Sequence, residues 1–160
     1  QLEKGFTVAA AIRDAQQIGI AEADPSLDLE GYDTANKLVI ITNSVMGFPC
    51  TLADVDLSGI QGVTKEDIDA AKDHGETIRL VATATRIDDG AGTGAVTLSV
   101  KPTRVSLHSF FGRCSDTSMC VRFDTDIYEE IEMMTYEKGV YPTSAAVLRD
   151  CFDVCAGHSS

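Results

Sequence analysis

Thr77-Ile-Arg-Leu-Val-Ala-Thr-Ala-Thr85, Asp88-Asp-Gly-Ala-Gly-Thr-Gly94 and Ala95-Val-Thr-Leu-Ser-Val-Lys101 together set the architecture of this chain. The outer runs are rich in β-branched residues and alternate in character, the period-2 pattern of strands with one buried face. The glycine-rich middle is a turn, so the whole reads as a β-hairpin. Gly90, Gly92 and Gly94 do not make a phosphate loop, because no helix follows and no lysine stands where it would reach a phosphate. Met119-Cys-Val-Arg-Phe-Asp-Thr125 and Ile127 to Thr135 read as two further strands. At least four strands are therefore expected in one mixed or antiparallel sheet.

Helices flank these strands. Val8, Ala11, Ile12, Ala15 and Ile18 form an apolar stripe at helical spacing, with Gly5 and Thr7 at its start and Gly19 as its stop. A second helix is expected from Leu29 to about Ser44, its run Leu38 to Ile41 too continuous for an exposed position, ended by Gly47 and Pro49. Asp54 to Val63 reads as a connector. Thr64 to Gly75 is an amphipathic helix with Thr64 as N-cap, acids in the first turn and Gly75 as terminator. Pro142 to Cys155 is a last helix, with proline near its first position. The expected fold class is α+β, one domain over residues 1–160. Its mixed, largely antiparallel sheet is covered on one face by helices, and the other face is free to pair with a second copy.

The 160 residues, 44% of them hydrophobic, suffice for a buried core. A net charge of −12 argues against nucleic-acid binding, which needs clustered Lys and Arg, and fits a cationic or zwitterionic ligand or plain solubility. No run reaches the length of a membrane helix and Gln1-Leu-Glu-Lys4 is not a signal sequence, so a cytoplasmic protein is expected. The five cysteines are odd in number and form no CxxC, and His74, His108 and His158 are scattered. Neither a disulfide framework nor a metal site is expected. Cys151 and Cys155 stand one helical turn apart, placed either for packing or for bridging to a neighbouring subunit on oxidation.

The chemistry concentrates in Glu22-Ala-Asp-Pro-Ser-Leu-Asp28-Leu-Glu-Gly31-Tyr-Asp33-Thr-Ala-Asn-Lys37. Glu22, Asp24, Asp28 and Asp33 place four carboxylates within twelve positions, and Lys37 follows Asp33 at i+4 on the same helical face. Three readings are open. An i,i+4 Asp/Lys pair is commonly an exposed ion pair worth about 0.3–0.5 kcal/mol. A calcium loop lacks the glycine and the closing glutamate that its pattern requires. A lysine at the mouth of a buried helix, its pKa lowered by desolvation, accepts protons, while carboxylates around it hold a substrate ammonium.

The order E-A-D-P-x-x-D-L-x-G-x-D-x-A-x-K-L-V-I closely resembles the substrate-site signature of homoserine dehydrogenases, with spacing complete from Glu22 to Lys37. Ala23 and Thr34 depart from it conservatively. Gly59-Ile-Gln-Gly-Val-Thr-Lys-Glu-Asp-Ile-Asp-Ala-Ala71 and Pro142-Thr-Ser-Ala-Ala-Val-Leu-Arg-Asp150 resemble later parts of the same family. Two stretches depart from the family: Glu137-Lys-Gly139 stands where a glycine-rich G-A-G is usual, and Ser115 to Met119 replaces G-x-x-N-A. Both departures bear on cofactor contacts more than on substrate contacts.

The resemblance implies reversible hydride transfer between L-homoserine and L-aspartate 4-semialdehyde, with NAD or NADP as carrier. It assigns Lys37 and Asp33 to proton transfer at the substrate oxygen and Glu22 and Asp28 to the substrate amino group, with Asp24 and Tyr32 lining the pocket. Gly139 and Thr143 fall on the nicotinamide side. No G-x-G-x-x-G follows a strand in this sequence, so the resemblance further implies a nucleotide-binding domain upstream, and a substrate and dimerisation domain here. It implies a small amino-acid substrate and a homodimer through the sheet, with neither nucleic acid nor membrane as partner. Two alternatives stay open: a non-enzymatic dimerising module that binds an amino acid, and a related dehydrogenase of another small amino alcohol.

Overall fold

The computed structural model describes residues 8–17, 24–88, 94–114, 118–136 and 141–157. They gather into two compact units, residues 1–107 and 108–160.

In the first unit, β2 (Glu76–Ile87) and β3 (Ala95–Ser106) form the expected antiparallel hairpin, twelve residues on each side, in register from Glu76 opposite Ser106 to Ile87 opposite Ala95. The turn residues 89–93 lie outside the described residues. On the other side of β3, and parallel to it, runs a three-residue strand, β1 (Val55–Leu57), so the sheet order is β1-β3-β2. This strand falls where the sequence suggested a connector. Three residues are too few to show alternation, and Val55 and Leu57 become a strand by pairing with Leu98 and Val100.

Helix α1 spans Val8–Gln17, as the stripe predicts. The helix expected from Leu29 to about Ser44 starts three residues later as α3 (Tyr32–Ile41) and continues into a π-helical turn over Thr42–Met46 that stops at Gly47; ahead of it stands a short helix, α2 (Ser26–Leu29), that the sequence did not suggest. The break is Gly31, whose φ of 84° places it in the left-handed region. Its bare Cα faces inward, where an added Cβ would meet Leu57 Cδ1 at 3.1 Å, Val100 Cγ1 at 3.4 Å and Leu80 Cδ2 at 3.5 Å. Glycine serves here for both its backbone conformation and its size.

Even-numbered residues of β2 and β3 meet α3. Ala35 and Leu38 pack with Leu98 and Val100 in the core, supported by Leu80, Ala82 and Val96 and by Val55 and Leu57 of β1. Val100 and Ala35 are fully buried, so this contact is the centre of the unit. Helix α4 (Lys65–Asp73) packs along β2 with Ile68 and Ala71 buried. Its N-terminus carries the expected cap as a closed box: Asp67 N donates to Thr64 Oγ1 at 3.2 Å, and Thr64 N donates to the Asp67 carboxylate at 3.0 Å.

The second unit contains α5 (Phe110–Arg113), β4 (Ser118–Thr125), β5 (Glu129–Tyr136) and α6 (Tyr141–Cys155). Both late strands are where the alternation predicts them, but among the described residues they pair with each other alone, Ser118 opposite Tyr136 through Thr125 opposite Glu129. The expected single sheet of four or more strands is therefore two ladders, because alternation marks a strand and not its partner. Arg122 bridges Asp124 and Glu130 on one ribbon face and lies 5.7 Å from the Phe111 ring centre. Cys151 and Cys155 are exposed on α6, and none of the five cysteines forms a disulfide. The α+β class and the mixed sheet stand.

Candidate active site

The acidic stretch folds into a corner beside the first sheet. Asp24 precedes α2 and accepts from Ser26 N at 3.1 Å and from the Ser26 hydroxyl. That hydroxyl bond, with the backbone bond behind it, holds the Asp24 carboxyl below the usual carboxylate range. Asp24 is thus occupied with starting α2. Asp28, exposed, lies in α2, and its carbonyl accepts from Gly31 N at 3.1 Å. After the turn at Gly31, Ala35 N donates to Gly31 O at 2.9 Å and α3 begins with half-buried Tyr32.

Lys37 Nζ donates to Asp33 Oδ2 at 2.7 Å, an i,i+4 pair on the first turns of α3. The helical repeat of about 100° per residue separates this pair from the buried side. Ala35, Leu38 and Thr42 point at the sheet, whereas Asp33, Lys37 and Ile40 line the opposite side. Ile40 is 63% exposed there, so the run Leu38 to Ile41 is not buried throughout. Lys37 and Asp33 side chains are 59% and 49% exposed. The desolvation expected around Lys37 is therefore not provided by the described residues, and the pair's proximity is what the fold of this chain supplies.

The corner is held from behind. Ile60 N donates to Leu29 O at 2.8 Å, and Gly59 lies directly on the Leu29–Glu30 backbone. Nothing in the sequence marks this contact, since Gly59 is distinguished there only as part of a family-like phrase. Of the residues the sequence singles out, the structure brings Lys37 and Asp33 into contact; Asp28 lies on α2, Tyr32 opens α3 and Asp24 stands ahead of α2. Glu22 and Gly139 lie outside the described residues, as does the side chain of Thr143 in the first turn of α6. Among the described residues no group of three or more His, Cys, Asp or Glu gathers as a metal site, and no helix is long and apolar enough to cross a membrane.

The sequence profile of the family described as homoserine dehydrogenase matches residues 1–152. The chain belongs to the homoserine dehydrogenase family. The homoserine dehydrogenase of Methanocaldococcus jannaschii is 34% identical over 152 residues, covering 95% of this chain and 42% of that protein. The NAD(+)-dependent homoserine dehydrogenase of Pseudomonas canavaninivorans is 30% identical, covering 96% of this chain and 42% of that protein. Among solved structures, a homoserine dehydrogenase from Thiobacillus denitrificans matches with a TM-score of 0.83 at 29% identity, over 96% of this chain and 34% of that one. The Staphylococcus aureus homoserine dehydrogenase at pH 6.5 matches with a TM-score of 0.82 at 29% identity, over 96% of this chain and 38% of that one. This homoserine dehydrogenase domain therefore spans well under half the length of the relatives it resembles.

Proposed function

We propose that this chain is the substrate-binding and catalytic domain of an NAD(P)-dependent homoserine dehydrogenase that interconverts L-homoserine and L-aspartate 4-semialdehyde. The enzyme would serve amino-acid biosynthesis, on the aspartate route to threonine and methionine. The observation that carries the reading is the contact of Lys37 with Asp33 on the outward side of α3, in a chain of this family.

Oxidising the alcohol to an aldehyde removes a hydride from carbon and a proton from oxygen. Lys37 and Asp33, whose Nζ and Oδ2 stand 2.7 Å apart, take up the hydroxyl proton between them and return it in the reverse direction. Asp28 and Glu22 hold the substrate ammonium by charge, and Tyr32 and Asp24 bound the pocket. A nicotinamide cofactor, held elsewhere in the protein, would supply the hydride acceptor.

The described residues do not fit that cofactor by themselves. The glycine-containing turn before α4 has Gly59 pressed on backbone, and the α4 N-terminus is closed by Thr64 and Asp67, leaving no open cradle for a pyrophosphate. A nucleotide-binding domain elsewhere in the protein, upstream of this chain, belongs to the proposal. So does a cytoplasmic homodimer, with the face of β1-β3-β2 opposite α3 meeting a second copy.

The test is nicotinamide reduction by the full-length protein with L-homoserine. Lys37→Ala should lower kcat by about a hundred- to ten-thousand-fold while leaving the melting temperature near that of the wild type. A folded, cofactor-binding wild type inactive on homoserine would overturn the substrate assignment in favour of another amino alcohol. Failure to bind cofactor would favour an amino-acid-binding module.

A further inference from the structure

We propose that Gly59 and Ile60 are positioning residues for the substrate site, fixing the corner between α2 and α3 so that Asp28 and the Asp33–Lys37 pair address one ligand. The inference rests on the functional reading above and assigns a role to a loop that contributes no group to the chemistry.

Asp28 sits on α2, and Asp33 and Lys37 sit on α3. Their relative placement depends on the end of α2 at Leu29 and on the two residues between the helices, Glu30 and Gly31. The hydrogen bonds of Gly31 to Asp28 and of Ala35 to Gly31 are local to one helix or the other and do not set the angle between them. That angle is set from outside. Ile60 N donates to Leu29 O at 2.8 Å, and the Gly59 Cα lies so close that an added Cβ would sit 2.6 Å from Glu30 Cα, 2.7 Å from Glu30 C and closer still to Leu29 O. All three are backbone atoms, so no side chain can swing away.

The clamp is itself anchored in the core. Ser58 N donates to Val100 O at 2.8 Å, extending the β1–β3 pairing to the residue before Gly59, and Val100 is fully buried. On the inner side of the corner, Gly31 rests against Leu57. The substrate carboxylates therefore take their position from β3 by way of the end of β1. A Cβ at residue 59 would push the Leu29–Glu30 backbone away by about 1 Å to restore an ordinary contact, a displacement of the size that lowers catalytic efficiency steeply.

The experiment uses the full-length protein carrying Gly59→Ala, with Gly62→Ala as control, since a Cβ at residue 62 meets nothing within 4 Å. Gly59→Ala should raise KM for L-homoserine by about ten- to a hundredfold, with KM for the nicotinamide cofactor within about twofold of wild type, and Gly62→Ala should leave both unchanged. Amide hydrogen exchange over residues 27–33 should be faster in Gly59→Ala than in Gly62→Ala. Should Gly59→Ala fail to fold, Ile60→Pro deletes the N–H donated to Leu29 without adding bulk at residue 59, and is held to the same split and the same exchange criterion. Homoserine KM unchanged with unchanged exchange, or equal weakening of homoserine and cofactor, overturns the proposal. If the wild type binds cofactor but does not oxidise homoserine, the functional reading alone fails, and exchange over 27–33 still decides the clamp: faster supports it, equal overturns it.

Discussion

Replacing Gly31 with alanine perturbs the acidic site and the core through one atom, and its cost follows from the structure in two parts. A left-handed φ of 84° costs an L-residue about 1–2 kcal/mol. The new Cβ would also meet Leu57 Cδ1 at 3.1 Å, tighter than ordinary contact, with Val100 and Leu80 close behind. Overpacking of this kind costs about 1–2 kcal/mol when the neighbour is a flexible side-chain end. Together these give about 2–4 kcal/mol, or a melting temperature lower by about 8–32 °C for a unit of about a hundred residues. Gly31→Asn separates the two parts. Asparagine tolerates the left-handed region better than alanine, yet its larger side chain enters a space closed by Leu57, Val100 and Leu80. Thermal melts of the full-length protein should therefore show Asn at least as damaging as Ala. An Asn variant clearly more stable than the Ala variant would refute the packing argument and leave backbone conformation as the sole reason for glycine.

Thr42 is fully buried on the core side of α3, and among the described residues its Oγ1 meets no hydrogen-bond partner. Thr42→Val keeps the shape and removes the unpaired hydroxyl, so it should stabilise the protein by about 1 kcal/mol, read as a higher melting temperature. The Asp67 carboxyl is held below its ordinary value of 3.8 by the backbone and side-chain hydrogen bonds from Thr64, helped by the Arg104 charge. Its folded pKa is depressed, so its contribution is full above the unfolded value and is lost as pH falls through the folded one. Melting temperature followed from neutral pH down to about pH 3 should thus drop less steeply in Asp67→Asn than in wild type. Parallel acid limbs would remove the capping box from the account.

The sequence alone determined those features whose physical cause is local. Alternation of β-branched residues fixed β2, β3, β4 and β5 as strands, and Thr64 followed by Asp67 fixed the start of α4. The spacing of Asp33 and Lys37 placed an amine and a carboxylate together, because neighbouring turns of a helix bring i and i+4 into contact wherever the helix lies. The acidic signature likewise carried the family. Tertiary structure decided what depends on partners distant in sequence. Val55 to Leu57 is a strand only because β3 offers it an edge, and β4 and β5 form their own ladder because pairing is chosen by the surroundings. The break at Gly31, where the core presses on that residue, delays the expected helix to Tyr32 and leaves a short α2 ahead of it. Lys37 faces outward because Ala35, Leu38 and Thr42 claim the sheet side, so an apolar run next in sequence does not bury it. The backbone between Asp28 and Asp33 is met by Gly59 and Ile60, some thirty residues later in the chain, with Ile60 N donating to Leu29 O. Contacts of that separation leave no periodic trace in a sequence, since they are set by how the chain packs and not by how neighbouring residues repeat.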